Sequence, residues 1–224
     1  MQPHLGQAFR HLKKSLFTLS AAVEDNLHVA LQALESGDPR LIDQVRTRDL
    51  EIDLMEVDFE EECLKILALH QPVAIDLRFV ISVLKINNDL ERIGDLAVNI
   101  AESTPDLMGK RFVDTASRLP KMAEKAQAML RKSLDSVVNM DAELAREVLA
   151  ADDSVDDDYQ AMVNDIRTLL RQDGSGVDEL LSIMVVSKHI ERIADLATNI
   201  AEDTIYLVAG DIVRHGRHHV TDEN

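Results

Sequence analysis

The chain has 224 residues, 46% of them apolar, and its 24 Lys and Arg against 41 Asp and Glu give a formal net charge of −17. Five Phe, two Tyr and no Trp leave little of the aromatic surface that favours sheets, so an all-α fold is expected. The acidic excess argues against nucleic-acid binding, no run approaches the ~20 apolar residues of a membrane span, and the single Cys63 excludes an intrachain disulfide or a cysteine-based zinc site.

The opening MQPHLGQAFRHLKKSLF has basic residues but no apolar leader core, so a cytoplasmic protein is expected. A first helix is predicted from Pro3 to about Glu35. SGDPR ends it, with Gly37 as a stop, Asp38 as the next N-cap and Pro39 at the first helical position. The second helix runs to about Leu69 and carries Cys63 as a packed thiol; HQP interrupts it. The third runs from about Pro72 to Glu102, and STP (Ser103 to Pro105) begins a link. Helices then follow from Ser117 to Val138, Asp141 to Arg171 and Val177 to Val208, separated by NMD and QDGSG. The tail from Arg214 to Asn224 has no apolar period and is expected to be disordered.

The sequence repeats itself. Shifted by 100 residues, DLERIGDLAVNIAE (Asp89 to Glu102) falls on HIERIADLATNIAE (His189 to Glu202), with ten of 14 positions identical. Upstream, LIDQVRTRDLEID (Leu41 to Asp53) falls on LAREVLAADDSVD (Leu144 to Asp156) at an offset of 103, placing Asp49 over Asp152 and Asp53 over Asp156. A duplicated unit follows, with boundaries at residues 1–104 and 105–213 and the tail at 214–224. In each unit the last helix has one apolar stripe: Ile86, Leu90, Ile93, Ala97 and Ile100 in the first, Ile183, Ile190, Ile193, Ala197 and Ile200 in the second. The expected architecture is two tandem three-helix bundles.

Away from the stripe, Glu91, Asp95, Asn99 and Glu102 fall within about 80° of one another, at about 100° per residue. Glu191, Asp195, Asn199 and Glu202 repeat them, and Asp49/Asp53 and Asp152/Asp156 are paired one turn apart on the preceding helices. Carboxylates at i and i+4 repel unless a hard cation sits between their oxygens. An acidic face opposite an apolar stripe is ordinarily just solvated, but solvated positions drift between copies, and these recur in register. Eight candidate ligands follow, Asp49, Asp53, Glu91, Asp95, Asp152, Asp156, Glu191 and Asp195, with Asn99, Glu102, Asn199 and Glu202 as weaker ones. An all-oxygen site suits Mg²⁺, Ca²⁺ or Mn²⁺, with iron or zinc also possible occupants. Arg92 and Arg192 recur beside the acids, either as intrahelical ion pairs or holding an outer carboxylate. His189 reads as structural. No Glu stands three residues before a histidine, and phosphate-cradling loops, nucleophile elbows and H-E-x-x-H are absent.

Leu69 to Glu102, with His189 to Gly210, resembles the PhoU family of phosphate-signalling proteins, and the likeness extends over nearly the whole chain. The resemblance implies two three-helix bundles related by a pseudo-twofold axis. It implies multinuclear metal clusters, often iron, on E/D-x-x-x-D pairs, here Glu91/Asp95, Glu191/Asp195 and their neighbours Asp49/Asp53 and Asp152/Asp156. Leu196 stands where the family often has His, so the resemblance carries over carboxylates and no imidazole there. It further implies a negative regulator of phosphate uptake, linking the ATPase subunit of a phosphate ABC transporter to a phosphate-sensing histidine kinase, as a homodimer or higher oligomer. A carboxylate-metal phosphohydrolase is the competing expectation, and a structural module or metal store a third.

Overall fold

The computed structural model describes residues 3–107, 113–172 and 176–210 of the chain, and its helices are set by breakers and caps. The first helix, α1 (Pro3–Ser36), ends at Gly37, whose N–H donates to Ala33 O from a left-handed φ of 68°. Asp38 then accepts the Arg40 N–H at 2.9 Å and starts α2 (Pro39–His70). α3 (Ile75–Leu107) begins three residues later than Pro72. The residue before a proline avoids helical backbone, and Gln71 and Ala74 both turn into the left-handed region, at φ 45° and 50°, to reverse the chain. α3 also runs through Pro105 instead of ending near Glu102. Proline removes one backbone donor near the helix end, while fully buried Ala101 and Thr104 hold those turns on the core.

The second unit contains the short α4 (Val113–Ala116), α5 (Leu119–Asn139), α6 (Ala142–Ala151), α7 (Asp153–Gln172) and α8 (Val177–Ala209). The single helix expected from Asp141 to Arg171 is thus two. Asp152 lies between them, its carbonyl taking the N–H groups of Val155 at 2.8 Å and Asp156 at 3.2 Å. Aspartate favours helix starts over helix interiors, and the run of acids here supplies a fresh first turn. Glycine closes the last helix: Gly210, at φ 84°, donates its N–H to Tyr206 O at 2.9 Å. Most of the QDGSG turn and the tail expected to be disordered lie outside the described residues.

All described regular structure is helical. α1, α2 and α3 pack on one another, and α5, α6 and α7 pack around α8. Buried positions recur between the units: Ile42, Val45, Ile52, Phe59 and Cys63 correspond to buried Ala145, Val148, Val155, Met162 and Ile166 at the 103-residue offset. The units share one continuous core through α3 against α8 and α1 against α5. Along the α3–α8 seam the register is antiparallel: Arg78 lies over the Tyr206 ring, 5.8 Å from its centroid, and Lys85 pairs with Asp203 at 3.0 Å. The midpoint of that register falls at Gly94 and Ala194, equivalent residues of the two copies.

Candidate metal centre

α2 and α3 run antiparallel, so the acids of one meet those of the other in a ladder. At one end Arg46 Nε donates to Glu102 Oε1 at 2.8 Å; at the other, buried Asn87 donates to Glu56 Oε1 at 2.7 Å. Between them lie Asp49, Asp53, Glu91 and Asp95. Burial first, then the charges of Asp53, Asp95 and Glu91, push the Asp49 carboxyl up to about 6. Glu91 is raised too, by burial and then by Asp95 and Asp53. Gly94 makes the close approach possible: a Cβ there would stand 2.9 Å from Asp49 Oδ1.

The second unit builds the same face from α6, α7 and α8. Asp156, Glu191 and Asp195 each bring an oxygen to within 4.8 Å of the others. Asp152, at the helix break, is pushed up to about 6 by burial and then by Asp156 and Asp195. Its buried Oδ1 has no hydrogen-bond partner among the described residues. Asp195 is raised by burial, Glu191 and Asp156, against the lowering influence of Lys188 and Arg192. Lys188 donates to buried Glu191 at 2.6 Å, and its ammonium lies 5.1 Å from the Tyr159 ring centre.

That lysine distinguishes the sites. Its counterpart in the first unit is Asn88, and there, among the described residues, no three carboxylates converge to 4.8 Å. An ammonium gathers acids that otherwise splay apart by mutual repulsion. Both quartets are all-oxygen and anionic, one has a glycine-made approach for Asp49 and the other an unpartnered buried Asp152 oxygen. These residues fit a hard divalent cation or iron.

The weaker candidates go elsewhere. Glu102 is neutralised by Arg46, and Asn99 lies exposed one turn beyond Asp95. Asn199 and Glu202 line a cleft of about 480 Å³ with Lys85, Asp89 and Arg92 on the α3 side. Arg92 makes the intrahelical pair, 3.8 Å from Asp89 Oδ1. His189 is half-buried and its pKa is lowered, by burial and then Arg192. The Cys63 thiol is buried and pushed up to about 12 by burial and then Glu62 and Glu60, hence inert. Sequence reasoning passed over Glu56, Gly94 and Lys188. The signals were there: Glu56 continues the Asp49/Asp53 spacing by one turn, Gly94/Ala194 is one of the four differences in the aligned motif, and Asn88/Lys188 immediately precedes it.

Residues 16–104 and 119–204 each match the PhoU domain, so one domain repeats over most of the chain. The chain belongs to the PhoU family. It is 34% identical over 200 residues to the phosphate-specific transport system accessory protein PhoU homolog of Clostridium acetobutylicum, covering 89% of this chain and 91% of that one. The Escherichia coli (strain K12) phosphate-specific transport system accessory protein PhoU is 30% identical over 204 residues, covering 91% of this chain and 85% of that one. The crystal structure of PhoU from Pseudomonas aeruginosa superposes with a TM-score of 0.86 at 35% identity, covering 92% of this chain and 99% of that one. The PhoU of Streptococcus pneumoniae gives a TM-score of 0.84 at 28% identity, covering 93% and 99%. The all-helical PhoU fold is therefore shown by sequence and by structure.

Proposed function

We propose that this PhoU-family chain is a metal-binding negative regulator of phosphate uptake and phosphate-regulon signalling, acting as an adaptor between the ATPase subunit of a phosphate ABC transporter and a phosphate-sensing histidine kinase. The relatives' names support the phosphate connection. The observation that carries the metal reading is the carboxylate quartet built twice, each holding an aspartate raised to about 6 by burial and like charge. Such a face is poorly arranged for water alone and well arranged for a bound cation. No helix among the described residues is long and apolar enough to cross a membrane, which suits a protein that reaches membrane-bound partners from their surface. The sequence offers no phosphate-cradling loop or activated nucleophile, so an accessory role is preferred to phosphoester hydrolysis.

Deletion of the protein is expected to leave phosphate-starvation genes expressed in phosphate-rich medium. Normal repression in the deletion strain, with no pull-down of the transporter ATPase or the kinase, refutes the regulatory reading. Turnover of generic phosphoesters that disappears in Asp95→Ala would instead establish an enzyme.

The two sites should differ in affinity. Lys188 already supplies positive charge to Glu191, so a metal must displace it, whereas among the described residues no cation pairs with Asp49, Asp53, Glu91 or Asp95. Titration with Fe²⁺ or Mn²⁺ is expected to fill the Asp49/Asp53/Glu91/Asp95 site first. Lys188→Asn should tighten the second site by about tenfold, the order usual for groups that tune a metal ligand. Equal filling in the wild type, unchanged by Lys188→Asn, contradicts the assignment.

A further inference from the structure

The outer face of α2 carries an apolar stripe that the fold does not need. Leu50, Leu54, Val57 and Leu64 are 52–69% exposed and share one face over four turns, with Glu61, paired to Lys65, between Val57 and Leu64. They lie opposite the buried side of the helix, which is formed by Ile52, Phe59, Cys63 and Ile66. The duplication provides an internal control. At the same offset that aligns the buried positions, the second unit has Asp153, Asp157, Gln160 and Arg167, all exposed and all polar. The unit thus folds with a polar outer face, and the apolar one belongs to the first copy alone.

The charge beside the stripe identifies its occupant. Glu51 and Asp58 flank it on one side and Glu60 on the other, and none of the three makes an ion pair among the described residues. The nearby cations are engaged: Lys65 pairs with Glu61 at 3.0 Å and Arg46 with Glu102 at 2.8 Å. A second copy of this face, or an anionic lipid surface, would set acid against acid. We infer that the outer face of α2 is a docking surface for a basic amphipathic helix of a partner protein, its leucines or similar residues lying along Leu50, Leu54, Val57 and Leu64 and its Lys or Arg facing Glu51, Asp58 and Glu60. This inference goes beyond the phosphate and metal readings, since it rests on the surface chemistry of α2 alone.

The test uses the full chain and two synthetic 21-residue helical peptides with identical Leu heptads, one flanked by Lys and Arg, the other by Glu. Fluorescence anisotropy is expected to show binding of the basic peptide, weakening as salt rises, and no binding of the acidic one. In the combined Leu50→Gln, Leu54→Gln, Val57→Gln, Leu64→Gln variant the basic peptide should bind at least about tenfold more weakly, with helicity and melting unchanged because the sites are exposed. Equal binding to wild type and variant overturns the inference, since attraction to acids alone would then suffice. Equal binding of the acidic peptide, or no binding of the basic one, overturns it as well. So does a wild-type dimer in sedimentation that the variant loses, which would make a second copy the occupant. Metal titration and phosphate repression are read separately, so each proposal can fail alone.

Discussion

At the scale of single residues, Asp49 and Asp152 hold their protons up to a pH of about 6, against an ordinary value of 3.8, because each is partly buried among other carboxylates. A carboxyl whose pKa is raised on folding stabilises the fold most when protonated. That contribution is complete below pH 3.8 and is lost as pH rises through about 6. Without metal, the melting temperature of the wild type relative to an Asp49→Asn, Asp152→Asn variant should fall between about pH 4.5 and pH 7. Added Mn²⁺ should reverse the difference, and more strongly at the upper pH, where protons no longer compete for the oxygens. A relative melting temperature that climbs with pH in the metal-free protein contradicts this account. Sequence spacing marked these residues as paired acids. It did not show that Asp49 lies against Gly94, because that contact joins residues 45 positions apart.

At the scale of elements, caps and breakers explain most helix ends. Asp141 shows the energetics: extended at φ −107°, it accepts the N–H groups of Glu143 at 2.9 Å and Leu144 at 3.0 Å at the start of α6. Asp141→Ala should cost about 1 kcal/mol, a fall of about 2–4 °C in melting temperature for a chain of this size. Asp141→Asn should recover most of it, and an unchanged melting curve in the alanine variant would mean the cap contributes nothing. Local signals located Asp38, Pro39 and Gly37 correctly. They failed at Pro105, where the burial of Ala101 and Thr104 keeps a helix going that proline alone would stop. They did not separate Asn199 and Glu202 from the acids facing α7, since all share the helical face of Glu191. The eleven steps from Glu191 to Glu202 span about 16 Å of helix at 1.5 Å each, so one face meets α7 at one place and α3 at another.

At the scale of the whole molecule, the two units are joined by a common core, and the α3–α8 seam carries a charge pair within it. Asp203 is buried, with Lys85 as a cation at 3.0 Å that also lies 5.5 Å from the Tyr206 ring centre. Lys85→Met removes a donor from a buried carboxylate and should cost about 1–3 kcal/mol. Because the core is continuous, calorimetry should still show one cooperative transition. Two resolved transitions in the wild type would show that the bundles melt independently.

The sequence by itself determined what is periodic or local. The three helices of the first unit, the apolar stripes, the duplication and the eight paired acids all follow from spacing, since a helix repeats every 3.6 residues and a duplicated unit repeats its pattern. The tertiary structure decided what depends on which helix lies opposite which. The antiparallel register of α2 on α3 placed Glu56 and Gly94 beside the acids, and that of α3 on α8 set Lys85 against Asp203. The packing of α7 on α8 set Tyr159 beside Lys188, the lysine that makes two sites with the same sequence motif chemically unequal. Charges act through space at a few ångströms, and only the packed chain brings residues from separate helices that close.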